Sequence, residues 1–321
     1  MPISSRSNLA AVALVALAAA CGGAGGSGPS NGTTATALDY CTSRWNLFYD
    51  RDASCANAAP AFVAFNESRA AATVCAAAAH EVAAGRARFD AAKARSCLDA
   101  LGVLDCAPFR AAFDDETYPP CAGVISGAAA NGGTCFSDDD CAAGWCSIVA
   151  TVCTGTCTAF AVAGQSCVGT SPCAPGFDCD ALDVCTSLAG AGGACPCKLG
   201  LYCDGTGRCQ AQKASGSACS SSGECASGLD CAGSTPVCQR FGGVGATCGG
   251  VGARCADGFH CGAQNTCEPD PIVGQACDAR VNCIGGRCNL ATSKCTACPA
   301  ECADTCDPLS GACPVIACTI P

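Results

Sequence analysis

A chain of 321 residues would ordinarily hold roughly two or three domains with conventional apolar cores, but 37 cysteines and only 5% aromatics point elsewhere. Disulfide-bonded cysteine at this density excludes a reducing cytosol and predicts export to an oxidising compartment. The 27 acidic residues against 17 basic ones, net charge −10, exclude the clustered positive face that nucleic acid or anionic lipid would require.

The N-terminal stretch "MPISSRSNLAAVALVALAAAC" has a polar opening with Arg6, an apolar run from Leu9 to Ala20, and then Cys21. The run suits the h-region of a signal peptide (residues 1–20) and falls short of the ~20 residues that span a bilayer. Leu17-Ala18-Ala19-Ala20-Cys21 resembles a bacterial lipobox, with Ala18 where that pattern favours Leu. The resemblance implies cleavage before Cys21 and its lipidation, several acyl chains then anchoring the protein at about 0.8 kcal/mol per buried CH₂. Removing Cys21 from the 37 also leaves an even number for pairing, whereas ordinary cleavage after an Ala-x-Ala site leaves an odd thiol in a secreted protein. Residues 21–36 are rich in Gly, Ser and Thr and form a flexible tether with a mean reach of roughly 20 Å. Asn31 and Asn66 stand in glycosylation acceptor patterns, which carry little weight in a bacterial lipoprotein.

Residues 37–122 hold most of the Trp, Phe, Tyr, Leu and Arg, and predict a disulfide-stapled helical domain. "LDYCTSRWNLFYDRDASC" sets Tyr40, Trp45, Phe48 and Tyr49 near helical spacing. "SRAAATVCAAAAHEVAAG" follows with high helix propensity and stops at Gly85; Asp90 is placed to cap the next helix. "APFRAAFDDETYPP" predicts a short fourth helix ended by Pro119-Pro120. The cysteines here, Cys41, Cys55, Cys75, Cys97, Cys106 and Cys121, imply three disulfides whose pairing the sequence leaves open.

From 132 to 295 the chain repeats six times with a period of 24 to 32 residues. Each unit reads G-x-x-C, a second cysteine, then C-x-x-G leading to a third and a fourth. The disulfide cysteines assigned are Cys135, Cys141, Cys146 and Cys153 in the first unit and Cys167, Cys173, Cys179 and Cys185 in the second. The fourth has Cys219, Cys225, Cys231 and Cys238, the fifth Cys248, Cys255, Cys261 and Cys267, and the sixth Cys277, Cys283, Cys288 and Cys295. Cys157 is read as an extra after the first unit, and the "CPC" of the third, Cys195-Pro196-Cys197, leaves that unit's pairing open. Leading glycines run from Gly132 to Gly274 and inner ones from Gly144 to Gly286, positions expected to need positive φ or close backbone approach. One large apolar residue after most inner glycines, such as Phe177 or Leu229, is too little core for a unit of this size, so cystine takes the place of a core. A cysteine-rich tail, 296–321, closes the chain.

The C-x5-C-x-x-G-x-x-C-x5-C pattern, best carried by "ACSSSGECASGLDCAGSTPVC" at 218–238, resembles the Dickkopf N-terminal cysteine-rich region and EB-like extracellular modules. The whole chain resembles cysteine-rich lipoproteins of Gram-negative bacteria. These resemblances imply a binding or spacer role outside the cell.

The fold class expected is small and disulfide-rich: an N-terminal helical bundle, then an array of about six stapled repeats with little regular secondary structure. No G-x-S-x-G, H-E-x-x-H, P-loop or dinucleotide motif occurs, so neither an enzyme nor a cofactor is expected. His80 and His260, the only histidines, are read as structural, and "SDDDC" at 137–141 as a solvated acidic turn. Cys195-Pro196-Cys197 and the helically spaced Cys298, Cys302 and Cys306 are the candidates for a soft metal, set behind disulfides because zinc modules normally add a second short cysteine pair or histidines. Metal binding and an enzyme in the helical domain rank behind a lipid-anchored protein of the cell envelope, at the outer membrane, or else a secreted one. Its repeats would project from the head to contact an unidentified extracellular or surface protein, with the membrane engaged through the anchor and no nucleic acid bound. The alternative is a protease inhibitor with bait residues in inter-unit loops, Lys213 or Arg240-Phe241.

Overall fold

In a computed structural model, residues 36–297 are described, apart from 116, 150–153, 169–171, 181, 251, 253 and 279–280. The first helix, α1 (Ala37–Ala56), begins where the Thr36 hydroxyl accepts from the Asp39 N–H at 3.1 Å and ends at Asn57 in the left-handed region. The chain continues with α2 (Pro60–Ala70), one π-helical turn (Ala71–Cys75) and α3 (Ala76–Ala83), which stops before Gly85 at φ +72°. Strand β1 (Ala87–Phe89) leads to α4 (Ala91–Gly102), whose first turn is capped as expected: Asp90 Oδ1 accepts from Ala92 N–H and Lys93 N–H. The last helix, α5 (Cys106–Asp114), closes before the two prolines.

These helices have a packed centre. Tyr40, Phe48 and Tyr49 of α1 meet Ala94 and Leu101 of α4, Phe109 and Phe113 of α5, and Val124 beyond them. The Phe48 and Phe113 ring centroids lie 4.6 Å apart, and Trp45 packs edge-on against both. Three disulfides staple these elements: Cys41–Cys75 joins α1 to the π-turn, Cys55–Cys106 joins α1 to α5, and Cys97–Cys121 ties α4 to the segment after α5.

Beyond the helices the regular structure is short strand pairs. Strand β2 (Ile125–Gly127) returns to pair antiparallel with β1 and hands the chain to the repeats. The first unit has a three-stranded sheet, with β5 (Thr154–Thr158) between β3 (Thr134–Cys135) and β4 (Trp145–Val149). Each later unit has one antiparallel hairpin: β6–β7 (Phe177–Cys179, Cys185–Ser187), β8–β9 (Leu201–Cys203, Cys209–Ala211), β10–β11 (Leu229–Ala232, Val237–Arg240), β12–β13 (Phe259–Cys261, Cys267–Pro269) and β14–β15 (Gly286–Asn289, Lys294–Ala297). The small disulfide-rich array that the sequence predicts is therefore the architecture found.

The array does not project from the helices. The first unit is fastened to them by Ala128 N–H donating to Arg86 C=O at 2.7 Å. The inner turn of the third unit reaches α5, where a Cβ on Gly200 would stand 3.9 Å from Ala111 Cβ. The fourth, fifth and sixth units sit in chain order along the end of α1 and along α2. A Cβ on Gly228 would meet Cys55 C=O at 2.8 Å, one on Gly258 would meet Phe62 Cβ at 2.5 Å, and one on Gly285 would meet the Phe65 ring at 2.7 Å. Ala59 N–H donates to Asp257 C=O and Asn57 Nδ2 to Phe241 C=O, both at 2.8 Å. The array thus curls round the helical head. Its inner glycines are small where backbone meets helix.

Candidate functional site

The repeating element is a pair of crossed disulfides. In every unit the first cysteine bonds the third and the second bonds the fourth, as in Cys219–Cys231 and Cys225–Cys238. The third and fourth cysteines face each other across the hairpin, Cys231 opposite Cys238, yet bond away from one another. Two hydrogen bonds lock the leading turn onto the fourth cysteine: in the fourth unit Gly216 N–H donates to Cys238 C=O at 2.7 Å and Cys238 N–H to Ser217 C=O at 2.8 Å. The leading glycines all have positive φ, as the turn requires. In the last unit the left-handed inner residue is Gly285, not Gly286.

Two sequence expectations are corrected by this pattern. Cys157 is not an extra: it bonds Cys141 and accepts from Gly132 N–H at 2.7 Å, which makes it the fourth cysteine of the first unit. Cys153, given that role from the sequence, lies outside the described residues, as do Cys21 and the cysteines of the tail. The "CPC" unit follows the common connectivity, Cys195–Cys203 and Cys197–Cys209, with only its first loop shortened. The head cysteines and the other assigned repeat cysteines are all bonded within their own unit or within the head, Cys135–Cys146, Cys167–Cys179, Cys173–Cys185, Cys248–Cys261, Cys255–Cys267, Cys277–Cys288 and Cys283–Cys295 completing the set.

Crossing brings sulfurs together. The first, second and fourth Sγ atoms of a unit lie within 4.8 Å of one another, a cluster with the shape of a metal site. Here each sulfur is spent in a disulfide and offers no thiolate, the form a metal requires.

Charged groups serve as fasteners between units. Asp230 is 4% exposed; its carboxylate accepts from Ser222 Oγ, from Arg254 N–H at 2.9 Å and from Arg254 Nε at 3.2 Å. Burial acts to raise its pKa, but the serine hydroxyl and the Arg254 contacts hold it below the usual carboxylate range. Lys213 Nζ donates to Glu224 Oε2 at 2.5 Å, beside a cleft of about 320 Å³ that Tyr202, Asp204 and Ser220 help to line. The partners of this cleft satisfy one another, for Ser220 Oγ donates to Glu224 and Asp204 accepts from Thr206 and Arg208 N–H groups.

The residues considered for other chemistry are likewise engaged in structure. Exposed His80 places Nδ1 3.1 Å from the Arg86 guanidinium; half-buried His260 places Nδ1 3.1 Å from Asp270 Oδ1. Neither has a serine, threonine or thiol aligned as a nucleophile by any contact among the described residues. The "SDDDC" turn is not simply solvated: it is a 3₁₀ turn (Asp138–Asp140) in which Asp138 accepts from Cys146 N–H and Asp140 is 1% exposed. Asn66 is buried and donates to Phe62 C=O, out of a glycan's reach. Of the bait candidates, Arg240 donates to Ser54 C=O at 3.4 Å and Phe241 lies under the Arg254 guanidinium.

The signal that identifies Cys157 is in the sequence. The fourth cysteine precedes the next leading glycine by seven residues at Cys185, Cys209, Cys238 and Cys267, and Cys157 keeps that spacing to Gly164 where Cys153 does not. Among the described residues no helix is long and apolar enough to cross a membrane. No protein-family model, curated protein or solved structure matches the chain.

Proposed function

We propose that this is an exported scaffold of the cell envelope, held by a lipid on Cys21, that presents its disulfide-bonded units to a protein at the cell surface. The observation that carries this is the seating of five units on one helical head. Seating and crossed disulfides together fix the loops between cysteines in space. Preorganised loops bind without the cost of ordering them, about 0.5–1.5 kcal/mol per immobilised side chain. Several exposed apolar residues stand on this frame, among them Leu182, 82% exposed, and Val244, 71% exposed. The ties on Lys213 and Arg240 weigh against protease inhibition, which needs a bait segment free to enter a protease cleft.

The test is photocrosslinking in the producing cell, with the crosslinker placed at Leu182 or Val244, in wild-type and Cys21→Ser backgrounds. Discrete adducts at the repeat positions, and release of the protein from the membrane fraction by Cys21→Ser, are expected. Uncrosslinked monomer at every position would overturn the interaction role; a wild-type protein found soluble with an unmodified N-terminus would overturn the anchor.

A further inference from the structure

The joint between head and array contains two acids that solvent barely reaches. Glu81 on α3 is 2% exposed and Asp140, from the first unit, is 1% exposed. One guanidinium serves both: Arg86 Nε donates to Glu81 Oε2 and lies 3.4 Å from Asp140 Oδ1. Sharing a single guanidinium nitrogen draws the two carboxyl groups together. Two ionised carboxylates against one arginine would leave an uncompensated charge in a buried place, which is costly.

The hydrogen bonds indicate which acid keeps its charge. Asp140 Oδ2 accepts from the N–H groups of Phe136, at 2.7 Å, and Ser137, at 3.3 Å, so this oxygen is occupied as an acceptor. Its other oxygen, Oδ1, is buried and accepts no hydrogen bond. A protonated Glu81 supplies the donor that Oδ1 lacks and makes the trio neutral, with Arg86 positive and Asp140 negative.

We propose that Glu81 holds a proton shared with Asp140 across this joint, and that losing it loosens the first unit from the helical head. The joint is a pH-responsive latch that closes as the medium acidifies. Burial raises the Glu81 carboxyl above its usual range; the Arg86 hydrogen bond pulls it back, and Asp140 pushes it up. A folded-state pKa above the unfolded one means that the proton's contribution is complete below the ordinary carboxylate range and is lost as pH rises through the raised value.

The surrounding charges are few. His80 shares the Arg86 guanidinium, Arg88 lies on β1, and Asp138 and Asp139 flank Asp140. On α1, which packs against α3, Asp39 is tied to Thr36 and Arg44 to Phe113 C=O, with Asp50, Arg51 and Asp52 toward its far end. The π-turn and β2 carry no charge.

The latch is tested on the full oxidised chain by hydrogen exchange at two amides that bridge the joint: Ala128 N–H, which donates to Arg86 C=O, and Ala129 N–H, which donates to Asp140 C=O. Protection factors, corrected for intrinsic rates, are compared at about pH 4.5 and about pH 8. The wild type is expected to lose protection toward high pH, by at most about tenfold per pH unit for a single proton. Glu81→Gln, which stays neutral, is expected to abolish that response, while His80→Gln keeps it. Carbon-13 observation of the wild-type Glu81 carboxyl gives a second readout that no variant can compromise, and should titrate above the ordinary carboxylate range. Equal pH responses in wild type and Glu81→Gln, loss of the response in His80→Gln, or an ordinary Glu81 titration would each overturn the proposal.

Discussion

Replacing Gly258 by alanine tests whether the array is seated on the head. The residue has φ +80°, where an L side chain costs about 1–2 kcal/mol. The added methyl would also stand 2.5 Å from Phe62 Cβ and 2.7 Å from Ala59 Cβ, both on backbone-anchored carbons that cannot swing away. Overpacking of that kind costs typically about 1–3 kcal/mol, so the total expected is about 2–5 kcal/mol. Gly245→Ala, in the same unit, is the internal control, with φ +74° and nothing within 4 Å of its new methyl, and should show the backbone cost alone. Native-state hydrogen exchange at Ala59 N–H, which donates to Asp257 C=O across the contact, reads the local opening free energy in both variants. Adding Phe62→Ala should return part of the Gly258→Ala loss, since it removes the outer atoms of one obstacle and lets the turn shift. If Gly258→Ala and Gly245→Ala weaken Ala59 protection equally, the fifth unit does not rest on α2 and the curled arrangement is refuted.

Two further outcomes follow from the disulfide pattern. Cys157→Ser should expose one alkylatable thiol that peptide mapping places at Cys141; a thiol appearing elsewhere would contradict the first unit's pairing. Reduction under native conditions should leave helical circular dichroism from residues 37–122, whose core includes Leu101 at 0% exposure, while limited proteolysis cuts 132–295 throughout. Persistent protection of the repeats with digestion of the head would reverse that assignment, because one half-buried Phe or Leu per unit returns only about 1.5–3 kcal/mol on burial.

The units were legible because their constraints are local. A glycine at a turn of positive φ leaves the same mark at Gly132, Gly164 and Gly216, and a helix cap such as Asp90 acts within three residues of itself. The assignment of Cys153 failed for a local reason too: its distance from Cys146 matches the short hairpins of other units, whereas β4 and β5 form a longer one in which Cys146 faces Cys157. Seating on the head was not legible. Gly228 and Gly258 carry the same C-x-x-G pattern as Gly176, which has nothing within 4 Å of a Cβ, so sequence does not separate a turn that touches a helix from one that faces solvent. Asp140 was misread for a similar reason. Its neighbours in sequence are acidic and solvent-loving, while its partners Glu81 and Arg86 lie more than fifty residues away.

Confining each pair of crossed bridges to its own unit changes the pairing problem that oxidation must solve. Four cysteines can join in three ways, so a unit that closes before its neighbours interfere chooses among three alternatives, however many units follow. Every cystine of the described array joins sulfurs no more than 16 positions apart, and the longest span among the described bridges, 51, stays inside the head. A chain emerging N-terminus first can therefore finish its helices, then complete each crossed pair of cystines in turn against a surface already built. Lengthening the array by one unit adds one small choice and leaves the earlier ones untouched.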